Sequence, residues 1–207
     1  MTRRFTGDKL VIATHNKGKL EEFAALLAPL GITCISAGDL NLEEPEETET
    51  TFLGNGRIKA HYAAKASGLP ALADDSGLTV DALEGAPGVY TADWAFTPNG
   101  RDFGMAMEKT WAKLEEVNAP YPRLAQFRCT LILAWPDGHD EYAEGVCEGE
   151  LVWPRRGAEG HGYDPMFQPT GFTQTFGEMS AEQKNAISHR GNALREFCRV
   201  WKESGLC

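Results

Sequence analysis

The sequence predicts a mixed α/β fold, and three observations support that class. The apolar run Leu10 to Ala13 precedes apolar residues at helical spacing, which is typical of a strand, loop and helix unit. Further on, Arg123 to Trp135 and Glu141 to Val152 flank Asp137-Gly138, a strong hairpin signal. No internal repeat, low-complexity tract or linker divides the 207 residues. We therefore expect a single domain in which strands and helices share one body.

The N-terminal third continues this pattern. The first helix should stop at Pro29 to Gly31, and Ile32 to Ile35 predicts a second strand. Phe52 to Ala66 predicts a second helix. Gly54 and Gly56 lie in its first turns and weaken it by about 1 kcal/mol each relative to alanine.

The rest of the chain predicts further elements. The segment "LPALADDSGLTVDAL" has two short apolar pieces on either side of a predicted turn at Asp74 to Gly77. Met105 to Val117 predicts a helix, and Ser180 with Gln183 forms a capping box. Ser188 is expected to cap a final helix, whose apolar face carries Leu194, Phe197 and Trp201.

The composition limits the partners. Twenty Lys and Arg against thirty Asp and Glu leave a formal net charge of −10, and no basic face is segregated, so we expect no nucleic-acid partner. Five cysteines without CxxC spacing favour reduced thiols in the cytoplasm over disulfides or zinc. No apolar run reaches the ~18 residues of a membrane span or the length of an export signal, so we expect no membrane contact.

The loop after the first strand, "THNKGK", is the first candidate site. It is not a P-loop, because Ala13 replaces the first glycine of that motif and Leu20 replaces its Mg²⁺-binding Ser or Thr. A loop between a strand and a helix still presents N–H groups at the positive end of the helix dipole. Further donors are Thr14, Asn16, Lys17 and Lys19. The pattern is compatible with an anion site and with an ordinary capped helix start.

Two adjacent carboxylates, Asp74 and Asp75, form the second candidate site. Held close together they would raise each other's pKa unless a cation neutralised them, and Mg²⁺ accepts one or two carboxylates together with substrate phosphates. A simple Asp-rich turn is the alternative. The acidic run nearby is either a solvated loop or the source of another metal ligand, and it contains Glu43, Glu44, Glu46, Glu47 and Glu49.

Three further segments carry polar groups. Lys59 follows Asn55 by four residues, so both share a helix face and Lys59 either points at a phosphate or is solvated. The loop "GHGYDP" offers a ring that could stack on a base and a carboxylate that could read its edge. Near the C-terminal end, a predicted helix start has three donors around it, Lys184, His189 and Arg190. These donors either bind a phosphate or a ring carbonyl, or belong to an ordinary capped basic turn.

In this order along the chain, the motifs closely resemble the inosine triphosphate pyrophosphatase family from Leu10 to Arg195. The segments are "THNKGK", the acidic loop, "NGRIKA", "ADDSGLTVDALEGAPGVYTA", "GHGYDPMF" and "EMSAEQKNAISHRGNAL". The resemblance implies an elongated mixed β-sheet flanked by helices, in two lobes with a nucleotide cleft between them. It also implies a homodimer that hydrolyses dITP, ITP and XTP to the monophosphate and pyrophosphate with Mg²⁺, cleansing the nucleotide pool.

The resemblance also implies roles for individual residues. Asp75 matches the catalytic acid and metal ligand, Ser76 a substrate contact, and Glu46 the second metal ligand, with Glu47 as the alternative. The implied triphosphate contacts are Thr14, His15, Asn16, Lys17, Gly18, Lys19 and Lys59. The implied base and sugar-phosphate contacts are His161, Gly162, Tyr163, Asp164, Lys184, His189 and Arg190. Donors from the "SHR" segment would pair with O6 of a 6-oxo purine and disfavour adenine, whose amino group is itself a donor.

Two positions depart from the family pattern. His161 stands where an aromatic ring is usual, so base stacking should be weaker or sensitive to pH. Gly54 stands where a glutamate is common, so the first turn of that helix should be looser. Two other functions stay open: a regulator that binds the nucleotide without hydrolysis, and a pyrophosphatase of modified pyrimidine triphosphates.

Overall fold

Strands and helices alternate along residues 3–202, the part of the chain that this computed structural model describes, with side chains described for residues 3–199. The strands are β1 (Lys9–Ile12), β2 (Thr33–Ser36), β3 (Ala71–Val80), β4 (Phe96–Thr97), β5 (Gly100–Arg101), β6 (Leu124–Ala134), β7 (Asp140–Leu151) and β8 (Phe167–Pro169). The helices are α1 (Lys17–Leu27), α2 (Phe52–Ser67), α3 (Phe103–Glu116), α4 (Ala181–Ile187) and α5 (His189–Lys202). This order confirms the mixed α/β class.

Six strands form one mixed sheet in the order β2-β1-β3-β6-β7-β8, and β4 pairs with β5 in a separate ribbon. Both β2 and β3 run parallel to β1, as expected for strands joined through helices. At the other end β8 is antiparallel to β7. β1 ends at Ile12, which pairs with Leu72 near the start of β3. The "THNKGK" loop that follows β1 therefore lies near the middle of the longer strand β3.

Most predicted elements are confirmed with small shifts at their ends. The helix predicted at Met105 begins at Phe103, because Asp102 caps it by accepting the Met105 N–H at 3.0 Å. The capping box of Ser180 and Gln183 is present. Gly138 has φ +90° in the turn between β6 and β7. Leu194 and Phe197 of α5 are buried, whereas the side chain of Trp201 lies outside the described residues.

The turn predicted at Asp74 to Gly77 is wrong. These residues lie in the middle of β3, which runs without interruption between β1 and β6. Their burial within this long strand overrides the local turn preference of Asp, Ser and Gly. Successive side chains of a strand point to opposite faces, so Asp74 and Asp75 do not converge on one point.

The chain divides into two compact units. Unit 1 comprises the described parts of Met1–Asp75, Cys129–Gly145 and Arg190–Cys207, and unit 2 comprises Ser76–Arg128 and Val146–His189. In unit 1, one apolar cluster joins the strands to α1 and α5, and a second joins them to the alanine-rich face of α2. Unit 2 has its own core around Phe127, Phe167 and Phe176. None of the helices within residues 3–202 has the length and apolar character needed to cross a membrane.

Candidate active site

The loop between β1 and α1 is shaped by its own side chains. Asn16 caps α1, and its side-chain oxygen accepts from the N–H groups of Gly18 at 2.9 Å and Lys19 at 3.2 Å. Thr14 Oγ1 accepts from the Asn16 N–H at 3.2 Å. His15 and Lys17 are exposed. The capped helix start is therefore present, and it places Thr14, His15, Asn16, Lys17, Gly18 and Lys19 together at the positive end of α1.

Asp74 is neutralised by cations of the protein itself. Its Oδ2 lies 3.0 Å from Lys19 Nζ and 3.3 Å from Arg190 Nη2. Arg190 also pairs with Glu22 of α1. Burial acts to raise the pKa of Asp74, but Lys19 and Arg190 outweigh it and hold the pKa well below its usual range. Asp74 therefore stays ionised without a metal and ties α1, β3 and α5 of unit 1 together.

Asp75 is in a different position. Its Oδ1 accepts from Lys59 Nζ at 2.8 Å, whereas its buried Oδ2 has no hydrogen-bond partner within residues 3–202. Burial raises the pKa of this carboxyl to about 6, against the opposing charge of Lys59. Burial acts to lower the pKa of Lys59, but the neighbouring carboxylates outweigh it and raise that pKa. The pair therefore combines a permanent cation with a carboxylate that can exchange a proton near neutral pH.

The acidic loop reaches the same lysine. Glu47 Oε1 lies 3.1 Å from Lys59 Nζ, the atom that also contacts Asp75 Oδ1. Glu46 is exposed. Glu47 is also exposed, and its contact with Lys59 does not decide which of the two glutamates would bind a metal. The assignment of Glu46 as a metal ligand remains a prediction.

The donor set around Asp75 fits Mg²⁺. Within residues 3–202, no group of three or more His, Cys, Asp or Glu side chains is arranged so that it could bind a metal ion by itself. Mg²⁺ does not need one, because it usually binds through one or two carboxylates and completes its shell with water and substrate phosphates. A buried carboxylate oxygen without a partner costs free energy that a bound cation would recover. Asp75 and a glutamate of the acidic loop are the residues that would hold the ion.

In unit 2, Asp164 organises the loop "GHGYDP". Its Oδ2 accepts from the His161 N–H at 2.6 Å and from Lys184 Nζ at 2.7 Å. A Cβ at Gly160 would lie 2.1 Å from that oxygen, and Gly160 has φ +77°, so this position requires glycine. The predicted base-reading carboxylate is therefore buried and holds Lys184, while the His161 side chain is exposed.

Two predicted contacts are packed inside unit 2. The Tyr163 ring is 1% exposed and meets Phe103 edge to face, and burial raises its pKa to about 12. The His189 ring is also buried and stacks on Phe127 at 4.9 Å with 15° between the planes. Both side chains stabilise the unit 2 core. Their predicted substrate contacts remain predictions, as does that of Ser76, which is half-buried in β3.

Sequence interpretation missed Glu22 and the structural part played by Asn55. Glu22 meets Arg190 across 168 residues of chain, and no local signal marks such a pair. Asn55 is buried and accepts the Glu49 N–H at 2.9 Å. Asn55 precedes Lys59 by four residues, and this spacing in the sequence indicated that both side chains lie on the same face of α2.

A comparison with known families identifies the chain. The sequence profile described as the Ham1 family matches residues 10–200. The chain belongs to the Ham1 family. Membership confirms the resemblance seen in the motifs, and the match covers the site residues of both units.

Relatives in the Ham1 family are similar along almost their whole length. A protein of Ruegeria pomeroyi named dITP/XTP pyrophosphatase is 66% identical over 96% of this chain and 98% of its own. One of Agrobacterium fabrum with the same name is 53% identical over 98% and 100%.

Solved structures of the Ham1 family share the fold. The Coxiella burnetii HAM1 protein superposes with a TM-score of 0.85 at 39% identity, covering 94% of this chain and 98% of its own. The Staphylococcus aureus Ham1 protein superposes with a TM-score of 0.80 at 33% identity, covering 95% and 99%.

Proposed function

We propose that this chain is a Mg²⁺-dependent pyrophosphatase of non-standard purine nucleoside triphosphates, dITP, ITP and XTP, and releases the monophosphate and pyrophosphate. The enzyme class is supported by the Ham1 membership and by the names of its relatives. The observation that carries the proposal is Asp75, a buried carboxylate with one oxygen on Lys59 and the other without a partner.

The unit 1 residues suit hydrolysis of a phosphoanhydride. Bound at Asp75 and the acidic loop, Mg²⁺ would reduce the charge on the phosphate oxygens and make water a better acid. Lys59 holds the Asp75 carboxylate through Oδ1, and Asp75 is the group that we propose takes the proton of the attacking water. The N-terminus of α1 and the adjacent Lys19 offer donors to phosphate oxygens. Water adds to phosphorus, the α–β anhydride bond breaks, and pyrophosphate departs.

The unit 2 residues suit recognition of a 6-oxo purine. Lys184 and His189 are donors held in fixed positions, by Asp164 and by stacking on Phe127 respectively. Donors aimed at a carbonyl reject a 6-amino group strongly, because the buried groups would then remain unsatisfied. His161, which is exposed, is the ring we propose to stack on the base.

A substrate panel tests the proposal. Pyrophosphate release is measured for dITP, ITP, XTP, ATP and 5-methyl-UTP, with Mg²⁺ and with EDTA. We expect Mg²⁺-dependent turnover of the first three, and kcat/KM for ATP lower by about 100-fold or more. Faster turnover of 5-methyl-UTP would replace the purine assignment, and tight ITP binding without pyrophosphate release would favour a regulator.

We also propose that the enzyme works as a homodimer in the reducing cytoplasm. The family resemblance supports the dimer. The compartment is supported by Cys34, Cys129 and Cys147, whose thiols are not in disulfides within the described residues. Light scattering after size exclusion, in buffer with a reductant, gives the mass that checks the dimer.

A further inference from the structure

We infer that Asn55 and Gly54 are positioning residues that fasten the acidic loop, residues 43–50, onto α2 and so deliver its glutamate to Lys59 and Asp75. The inference rests on the proposed function only in treating that glutamate as a metal ligand. The fastening itself is a property of the protein without metal or nucleotide.

Asn55 holds the acidic loop by a hydrogen bond. Its side chain is 3% exposed, and its Oδ1 accepts the backbone N–H of Glu49 at 2.9 Å. The loop has no helix or strand of its own, so its backbone N–H groups need partners outside regular structure. A side-chain amide in a helix is therefore bonded to the loop backbone two residues after Glu47.

Gly54 leaves the space that the acidic loop needs to approach α2. A Cβ at this position would lie 2.6 Å from Glu49 Cβ and 2.8 Å from Glu49 Cγ, so only glycine allows the loop to approach this closely. The Gly54 N–H is bonded to Thr51 Oγ1, the cap of α2, at 3.1 Å. The cap of this first turn is therefore formed, and the looser turn expected at Gly54 stays a prediction. The missing side chain leaves room for the loop.

The spacing of the contacts explains why they work together. Glu49 meets Asn55 and Glu47 meets Lys59, so the loop runs opposite to the helix. Two residues of extended chain span about 7 Å, and four residues of helix rise about 6 Å. Because these lengths match, holding Glu49 at Asn55 places Glu47 at Lys59. Gly56 completes the arrangement, because α2 there packs directly against Ile132 of β6.

Three variants and a control test the inference. Asn55→Ala removes the acceptor, Gly54→Ala introduces the clash, and Gly54→Ala with Glu49→Gly removes the two closest clashing atoms, Glu49 Cβ and Cγ. Gly38→Ala is the matched control, since a Cβ there makes only an ordinary 3.6 Å contact. The readouts are hydrogen exchange of residues 43–50 in the metal-free protein and the Mg²⁺ concentration for half-maximal pyrophosphate release from dITP.

We expect both single variants to exchange several-fold faster in the loop and to need about 10-fold more Mg²⁺, with kcat at saturating Mg²⁺ little changed. In the double variant, both the loop exchange rate and the Mg²⁺ requirement should return toward the values of the parent protein. The Gly38→Ala control should match the parent protein in both. Unchanged loop exchange in the folded single variants would overturn the inference. Failure of the parent protein to hydrolyse dITP would overturn the proposed function, while the exchange data would still decide the fastening. If Asn55→Ala loses cooperative thermal unfolding, Gly54→Ala and its double variant make the same decision.

Discussion

At the scale of single residues, Asp74 and Asp75 are neighbours in the chain with opposite electrostatic surroundings. Alternation along β3 turns Asp74 toward Lys19 and Arg190 and turns Asp75 toward Lys59. The first carboxylate is satisfied by the protein, and the second keeps a buried oxygen without a partner among the described residues. The pair therefore separates a structural acid from the acid we assign to chemistry.

The substitution Asp75→Asn should abolish turnover while leaving nucleotide binding. The amide cannot take a proton from water, and loss of a general base typically costs about 10² to 10⁴ in rate. Pyrophosphate release and calorimetric binding of ITP measure the two effects separately. Parent-like turnover in this variant would remove Asp75 from the mechanism.

The matched substitution Asp74→Asn should act mainly on stability. It leaves Lys19 and the buried Arg190 without the carboxylate that they share, and breaking a buried ion network in this way costs about 3 kcal/mol. Urea unfolding of both Asn variants gives the comparison. Equal losses of unfolding free energy would contradict the division of roles between the two acids.

At the scale of elements, α2 is the part that aligns the site. Its alanine face packs on Val11, Ala71 and Ala73, and it carries Lys59 on the side that meets β3. Small residues allow the helix to approach the sheet closely enough for a buried lysine to reach a strand carboxylate. The glycines that weaken α2 by intrinsic propensity are thus accounted for by packing.

Gly56→Ala should lift α2 from the sheet. The added Cβ would lie 2.0 Å from Ile132 Cδ1, and overpacking of this kind typically costs about 1 to 3 kcal/mol. Ile132→Val removes the clashing methyl, so the double variant should lose less stability than the sum of the two single losses. Thermal or urea unfolding of all four proteins completes the cycle. Simple additivity would show that the helix already accommodates the methyl group.

At the scale of the whole molecule, stability at acid pH depends on carboxylates such as Asp140. It accepts from His61 Nε2 at 2.8 Å and from Arg57 Nη2 at 3.1 Å, which ties the start of β7 to the outer face of α2. Burial acts to raise the pKa of Asp140, but these hydrogen bonds outweigh it, and the pKa lies below its ordinary value.

Asp140→Asn should therefore remove a stabilisation that is fully present above the unfolded-state pKa of Asp, about 3.9. Because the folded pKa is the lower one, this contribution is complete at neutral pH and fades as the pH falls through the folded value. Urea unfolding at pH 7 and near pH 3 should show a parent-to-variant difference that shrinks at the lower pH. A difference that grows on acidification would reverse the assigned sign.

Much of this protein was determined by its sequence alone. Hydrophobic periodicity predicted β1, α1, α2, α3 and the β6–β7 hairpin, because burial of one face imposes a repeat that can be counted. The order of the motifs predicted the family, since it covers nearly the whole chain. The turn predicted from local residue preferences at Asp74 to Gly77 was wrong, because burial of these residues within the long strand β3 overrides those preferences.

Only the tertiary structure decided which charges meet. Arg190 pairs with Asp74, which lies 116 residues away in the chain. The Glu49 N–H donates to Asn55 from a loop that has no hydrophobic repeat to predict its path. The pKa of a carboxylate depends on its burial and on the cations beside it, and both are set by the path of the whole chain rather than by neighbours in sequence. For this reason two adjacent aspartates that look alike in sequence differ in the fold.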